Sequence, residues 1–194
     1  MSTWQTDHMD TRDQLPNHPI PDEVQRRIGT ARLCVDGLVA RSITLEASDL
    51  LNLPRAQRAE PFTCEEGWTV PGTRWRGLVL ADVLALARPL TEARYVRVCS
   101  GDYAVPVPLS EANTALLCEV LNDEPLTLEH GAPWRLLVPQ GRCFTSVKWV
   151  DRLEVTAEPG RSEGEQIARA RLRLVGSGEG ERLHAIQEGA VWNR

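Results

Sequence analysis

The chain contains a single lysine, Lys148; arginine supplies every other fixed positive side chain. Where lysine is this scarce, position 148 stands out as a place for a compact ammonium instead of a guanidinium fork. Its five cysteines, at 34, 64, 99, 118 and 143, include no C-x-x-C pair. An odd, widely spaced set argues against a disulfide framework and against a zinc signature. Reduced thiols in the cytoplasm are the expectation, and the N-terminus MSTWQTDHMD agrees, having no apolar signal-peptide core. No apolar run is long enough to cross a membrane. With a net charge of −5 the chain has no general basic excess, so nucleic acid is not an expected partner. No Ser/His/Asp order, H-E-x-x-H, P-loop or G-x-G-x-x-G occurs, so hydrolase and nucleotide-binding readings have no motif support.

What is present suits one folded domain. A length of 194 residues with 42% hydrophobic side chains can bury a substantial core. Fourteen glycines and thirteen prolines divide it into short elements. Residues 1–29 are polar and read as an extended arm. Strands are expected near 31–39, 41–45, 60–64, 135–138 and 147–155. Short helices are expected over 49–53 behind Ser48, over 80–87, and from Ser110 to about Leu121. Residues 95–99 and 103–107, with Ser100-Gly101-Asp102 between them, predict a hairpin. Helices scattered among hairpins predict an α+β, β-rich mixed domain over 30–157. Residues 158–194 read as an appendage, in which 167–175 forms either a strand or a short amphipathic helix.

Two segments carry chemistry. Cys64 ends a strand-like run and opens Cys64-Glu65-Glu66-Gly67-Trp68; its sulfur, once deprotonated, is a soft metal donor. Farther on, Ser146-Val147-Lys148-Trp149 follows a loop that carries Gly141 and Arg142. Backbone N–H groups of an irregular loop, beside a cation, make a site for an anionic group. The remaining cysteines lie mostly in apolar runs, where free cysteine is ordinarily a small buried hydrophobe.

The order of several short segments adds to this. They include Val35-Asp36-Gly37-Leu38-Val39, Phe62-Thr63-Cys64-Glu65-Glu66-Gly67-Trp68 and Trp75-Arg76-Gly77-Leu78-Val79-Leu80, then Gly101-Asp102-Tyr103, His130-Gly131-Ala132-Pro133, Arg135-Leu136-Leu137-Val138-Pro139 and Ser146-Val147-Lys148-Trp149. Through them the chain resembles the molybdopterin-binding domain of the sulfite oxidase family, from about Cys34 to Val155. The resemblance implies one molybdenum held by a pyranopterin dithiolene (molybdopterin) and by Cys64. It places Gly141, Arg142, Ser146 and Lys148 around the pterin and its phosphate. Asn17 and His18 match an Asn-His element that contacts the pterin, and Tyr103 falls at a pocket-wall position close to the chemistry. The implied activity is two-electron oxygen-atom transfer on a small-molecule substrate, with a separate electron-transfer protein as partner.

The chain also departs from the family pattern. Thr145 stands where relatives often have a basic residue, and Gln140-Gly141-Arg142-Cys143 replaces an aromatic and glycine run. No paired arginines follow Cys64, so sulfite itself is not an expected substrate. These departures leave a second reading open, a cofactor-free binding or structural module that keeps the same fold.

Overall fold

In the computed structural model, residues 15, 19–28, 31–63, 69–139, 141 and 143–176 are described. The first element is a helix, α1 (Asp22–Ile28), where the sequence suggests only an extended arm. Pro21 precedes it, acidic Asp22 and Glu23 fill its first turn and basic Arg26 and Arg27 its last, so both ends suit the helix dipole. Buried Val24 and an Arg27–Asp151 ion pair dock it on the domain.

Strands β1 (Arg32–Gly37) and β2 (Ile43–Glu46) pair antiparallel. The helix expected over 49–53 is a single 3-10 turn at Ala47–Leu50, in which the Glu46 N–H donates to the Asp49 carboxylate at 2.8 Å. Pro54 stops it there. Next come β3 (Arg55–Ala59), the short β4 (Phe62–Thr63) and β5 (Thr69–Val70), then β6 (Arg74–Val79) and α2 (Leu80–Ala85). The predicted hairpin forms from β7 (Tyr95–Ser100) and β8 (Tyr103–Pro108), paired from Tyr95–Pro108 to Ser100–Tyr103.

The helix expected from Ser110 is instead a 3-10 turn at Leu109–Glu111 followed by β9 (Leu116–Leu121). The remaining elements are β10 (Glu124–Pro125), β11 (Arg135–Leu137), a 3-10 turn at Cys143–Thr145, β12 (Arg152–Thr156) and α3 (Glu163–Gly176). The strand expected over 147–155 is therefore confined to its second half. Helix is the outcome at 167–175.

Among the described residues two main sheets form, ordered β2-β1-β12-β7-β8 and β10-β9-β6-β3, with β11 added to β9. The β1–β12 pair is parallel. The main core lies between the sheets and α2, where Leu33, Val98 and Leu153 meet Leu78, Leu117 and Leu136. The second sheet is apolar on its other face too, where Trp75, Leu116, Cys118 and Leu137 pack with Val70 and Leu15. Burial on both faces gives a strand a continuous apolar run instead of an alternating one. That is why Leu116-Leu117-Cys118 imitates a buried helix in sequence. The fold is the mixed, sheet-rich α+β class that the sequence suggests.

Gly77 marks the tightest point of the second sheet. The β6–β9 register shifts between Arg76 and Gly77. A Cβ there would overlap the Leu117 carbonyl oxygen and lie 2.5 Å from Cys118 Cα, both backbone atoms that cannot swing away. Gly77→Ala is expected to cost about 3 kcal/mol, at the upper end of ordinary overpacking. A lowered urea midpoint with an unchanged slope is the readout; an unshifted midpoint would show that the strands yield.

Candidate cofactor site

Among the described residues the only charged side chains that are buried are His130 and Arg135, and Arg135 lies in the outer apolar face of the second sheet. On β11, Leu136 turns into the main core, while its neighbours Arg135 and Leu137 turn the other way. Arg135 is only 4% exposed. Its guanidinium carbon lies 5.1 Å from the centroids of both the Phe62 and the Trp75 ring. Nε donates to Ser146 Oγ at 2.9 Å and Nη1 to the His130 carbonyl at 3.2 Å. No carboxylate among the described residues forms an ion pair with it. Burial pushes its guanidinium down to about 10, with only the Cys118 thiol opposing.

Ser146 and Lys148 follow on the same side. Ser146 Oγ accepts from Arg135 and donates to the Leu136 carbonyl at 3.1 Å. The Leu136 N–H donates to the Val147 carbonyl at 2.8 Å and the Val150 N–H to the Trp134 carbonyl at 2.9 Å, so residues 131–136 and 146–150 run side by side. Half-buried Lys148 donates from Nζ to the Glu129 carbonyl and lies 5.7 Å over the Trp149 ring. Burial, then repulsion from Arg135, pushes its ammonium down to about 7; the Glu129 carboxylate opposes this only in part.

Glycine makes this closeness possible. Gly131 has φ +107°, and a Cβ on it would stand 3.0 Å from both Cβ and Cγ of Lys148. At Gly141 a Cβ would lie 2.7 Å from Thr145 Oγ1 and 2.8 Å from the Val138 carbonyl oxygen. His130, buried, shares a 3.0 Å hydrogen bond with Thr127 through Nδ1.

The structure thus brings Ser146 and Lys148 together beside Gly131, with Gly141 at the next turn of the loop. Tyr103 lies on β8, where its hydroxyl donates to the Phe144 carbonyl at 2.9 Å, and buried Gly164 of α3 packs against that hydroxyl. It reaches the loop through the 143–145 turn, which it holds from behind. Cys64, Asn17, His18 and Arg142 lie outside the described residues. Their neighbours are informative: Thr63 and Thr69 pair across β4–β5, with Thr69 Oγ1 donating to Thr63 Oγ1 at 3.2 Å. Both ends of the 64–68 segment therefore start beside Phe62, the ring that touches Arg135. Leu15, 3% exposed, is buried in the same apolar cluster.

Sequence reasoning assigns no role to Arg135 or His130. The signal was available, because an arginine that alternates with core leucines in a three-residue strand, Arg135-Leu136-Leu137, cannot reach solvent if both faces of the sheet are covered. Cys99 and Cys118, both buried, fit the small-hydrophobe reading, while Cys34 and Cys143 are partly exposed. Burial pushes Cys99 up to about 11 and Cys118 up to about 12, and burial followed by the Asp36 carboxylate raises Cys34. Among the described residues no three His, Cys, Asp or Glu side chains form a metal-ligand group. A buried guanidinium beside a half-buried ammonium, and a glycine whose Cβ would fill the space next to that ammonium, suit a group with an anionic tail.

The comparisons with known proteins define the class. The chain belongs to the oxidoreductase molybdopterin-binding domain family, whose model matches residues 17–164. It is 33% identical over 129 residues to the uncharacterized oxidoreductase YuiH of Bacillus subtilis, covering 65% of each chain. It is 26% identical over 157 residues to the protein-methionine-sulfoxide reductase catalytic subunit MsrP of Campylobacter jejuni, covering 71% of this chain and 52% of that one. It is 39% identical over 93 residues to an NADPH nitrate reductase of Leptosphaeria maculans, covering 43% of this chain and 10% of the relative. The fold is similar to the sulfane dehydrogenase SoxCD of Paracoccus pantotrophus, with a TM-score of 0.61 and 26% identity over 68% of this chain and 39% of that chain. The chain spans less than two thirds of the length of each of these relatives. No helix among the described residues is long and apolar enough to cross a membrane.

Proposed function

We propose that this chain is a molybdenum–pterin oxidoreductase domain acting on a small oxygen-atom donor or acceptor and exchanging electrons with a separate partner protein. The observation that carries the reading is the pair Arg135 and Lys148, two desolvated cations near one glycine-lined loop with no carboxylate ion pair among the described residues. Uncompensated buried charge is costly, and a bound anion is the compensation a phosphate-bearing pterin offers. Gly131, Gly141, Ser146 and Lys148 would line the anionic end, with Asn17, His18 and Arg142 on the flanks. Cys64 would be the protein's metal ligand. When bound, the cofactor supplies two-electron oxygen-atom exchange.

The chain's own residues do the rest. Arg135 supplies fixed positive potential and Lys148 a charge that an adjacent anion would favour, the Phe62 and Trp75 rings exclude water behind Arg135, and Tyr103 holds the 143–145 turn. The test is elemental analysis for molybdenum, with pterin measured by fluorescence, on protein made in a host that synthesises the cofactor. Near-stoichiometric metal and pterin are expected, together with reduced-viologen oxidation by methionine sulfoxide or nitrate as probes. Well-folded protein without either would remove the reading and leave the cofactor-free module in its place.

A further inference from the structure

After β12 the chain passes through Glu158-Pro159-Gly160 and returns as α3, which packs on β8 and on the 143–145 turn. Buried Gly164 is the point of closest approach. A Cβ on it would overlap the Tyr103 hydroxyl and stand 2.9 Å from the Phe144 carbonyl oxygen and 3.0 Å from Val105 Cγ2. The first two of these atoms are the donor and acceptor of the 2.9 Å hydrogen bond that ties the turn to β8. The first turn of α3 therefore covers that bond on one side and keeps water from it. A hydrogen bond is stronger where water cannot compete for its partners.

The helix is weakly seated. Among the described side chains no apolar one beyond Val155 is buried, and Ile167 on α3 is 39% exposed. One ion pair among the described residues joins α3 to the first sheet: Arg97, which donates to Glu154 on β12 at 2.7 Å, lies 4.0 Å from Glu163. The helix is sustained by its own local contacts. The Glu165 N–H donates to Ser162 Oγ at 3.2 Å, Arg161 donates from Nε to Gln166 Oε1 at 2.9 Å, and Arg169 pairs with Glu165 one turn away. A helix with local support and few buried apolar contacts belongs to the part of a fold that opens as a unit.

Resting on the molybdenum–pterin reading, we propose that α3 is a releasable strap on the cofactor loop. Docked, its first turn shields the Tyr103–Phe144 bond, holds the 143–145 turn shut and slows exchange of the pterin. Lifted, it admits water to that bond and lets the turn open. Gly164 is the seat of the strap, and Glu163 is its latch on Arg97.

Gly164→Ala and Glu163→Arg test this in the full chain. Alanine strengthens α3 as a helix but fills its seat. Arginine at 163 leaves the seat untouched and faces Arg97 with like charge. In the empty protein, hydrogen exchange is followed by mass spectrometry over the peptide that carries Ser146 and Val147, whose N–H groups donate to the Cys143 and Thr145 carbonyls. In protein made with the cofactor available, pterin release after dilution is followed by fluorescence. Both rates are expected to rise about tenfold in Gly164→Ala, the scale of one weakened hydrogen bond, and by a smaller factor in Glu163→Arg, with exchange in β7 and β9 unchanged.

Faster exchange in β7 and β9 together with the turn would make α3 part of the fold and overturn the proposal. Unchanged turn exchange in both variants would overturn it as well, as would faster turn exchange with unaltered pterin release. A rise in Gly164→Ala alone would reduce the effect to a local push on Tyr103 and also overturn it. Wild-type protein that carries no pterin would overturn the cofactor reading and the strap's role with it, whatever the exchange shows.

Discussion

Cys64→Ser is expected to remove molybdenum from the protein and lower turnover in the dye-coupled assay by about a hundredfold or more, beyond what a lost supporting contact costs. Three of the other described thiols give no substitute. Cys99 and Cys118 are buried and held as thiols, and Cys34 is shifted the same way. A serine hydroxyl is a hard, poorly ionised donor where a soft thiolate is wanted. The fold should not notice, because the β4–β5 pair on either side of the 64–68 segment is made by Phe62, Thr63, Thr69 and Val70. The apo thermal midpoint is expected within about 2 °C of wild type, the range of a substitution outside the core. Full metal content with full turnover in the variant would end the case for Cys64 as ligand.

Cys64→Ser and Lys148→Arg test different halves of the proposed site. The first half is a proposal from the contiguous run that ends at Trp68, and residues 64–68 lie outside the described residues. Ser146-Val147-Lys148-Trp149 is likewise contiguous, and the structure places Ser146 against Arg135 and Lys148 against Gly131. The part that escaped is the part that depends on a sheet covered on both faces. Leu116-Leu117-Cys118 reads as helix because nothing local shows that β6 and β11 flank it in one sheet. Arg135 is given no role from sequence, because Phe62 and Trp75, the rings that close over it, are distant in the chain. α1 was hidden behind three prolines, though its acidic start and basic end spell a helix once Pro21 is taken as the residue that opens it. By contrast, the β7–β8 hairpin and α2 rest on local turn chemistry and helical spacing, and both lie where the sequence puts them.

Cofactor affinity is expected to be flat below pH 7 and to fall about tenfold per pH unit above it, as follows when binding takes up one proton. The proton belongs to Lys148. In the empty protein its ammonium, crowded by burial and by Arg135, titrates at about 7 instead of the ordinary 10.5. The groups facing it are the Arg135 guanidinium, the Glu129 carbonyl that accepts from Nζ, the Glu129 carboxylate and the Trp149 ring. Glu129 stays ionised through this range, its carboxyl lowered by hydrogen bonds from its own backbone and from Thr127. An anion beside Lys148 restores the charged form, so binding above pH 7 must draw a proton from solvent. Stability of the empty fold moves the opposite way. The folded-state pKa is depressed, so the penalty for charging Lys148 is fully present below about 7 and fades as pH rises toward 10.5. Pterin retention compared at pH 7 and pH 9 checks the first statement, and urea midpoints of apo protein at the same two pH values check the second. Lys148→Arg, always charged, should keep the cofactor yet lose the pH slope. The same slope in that variant would assign the proton to another group.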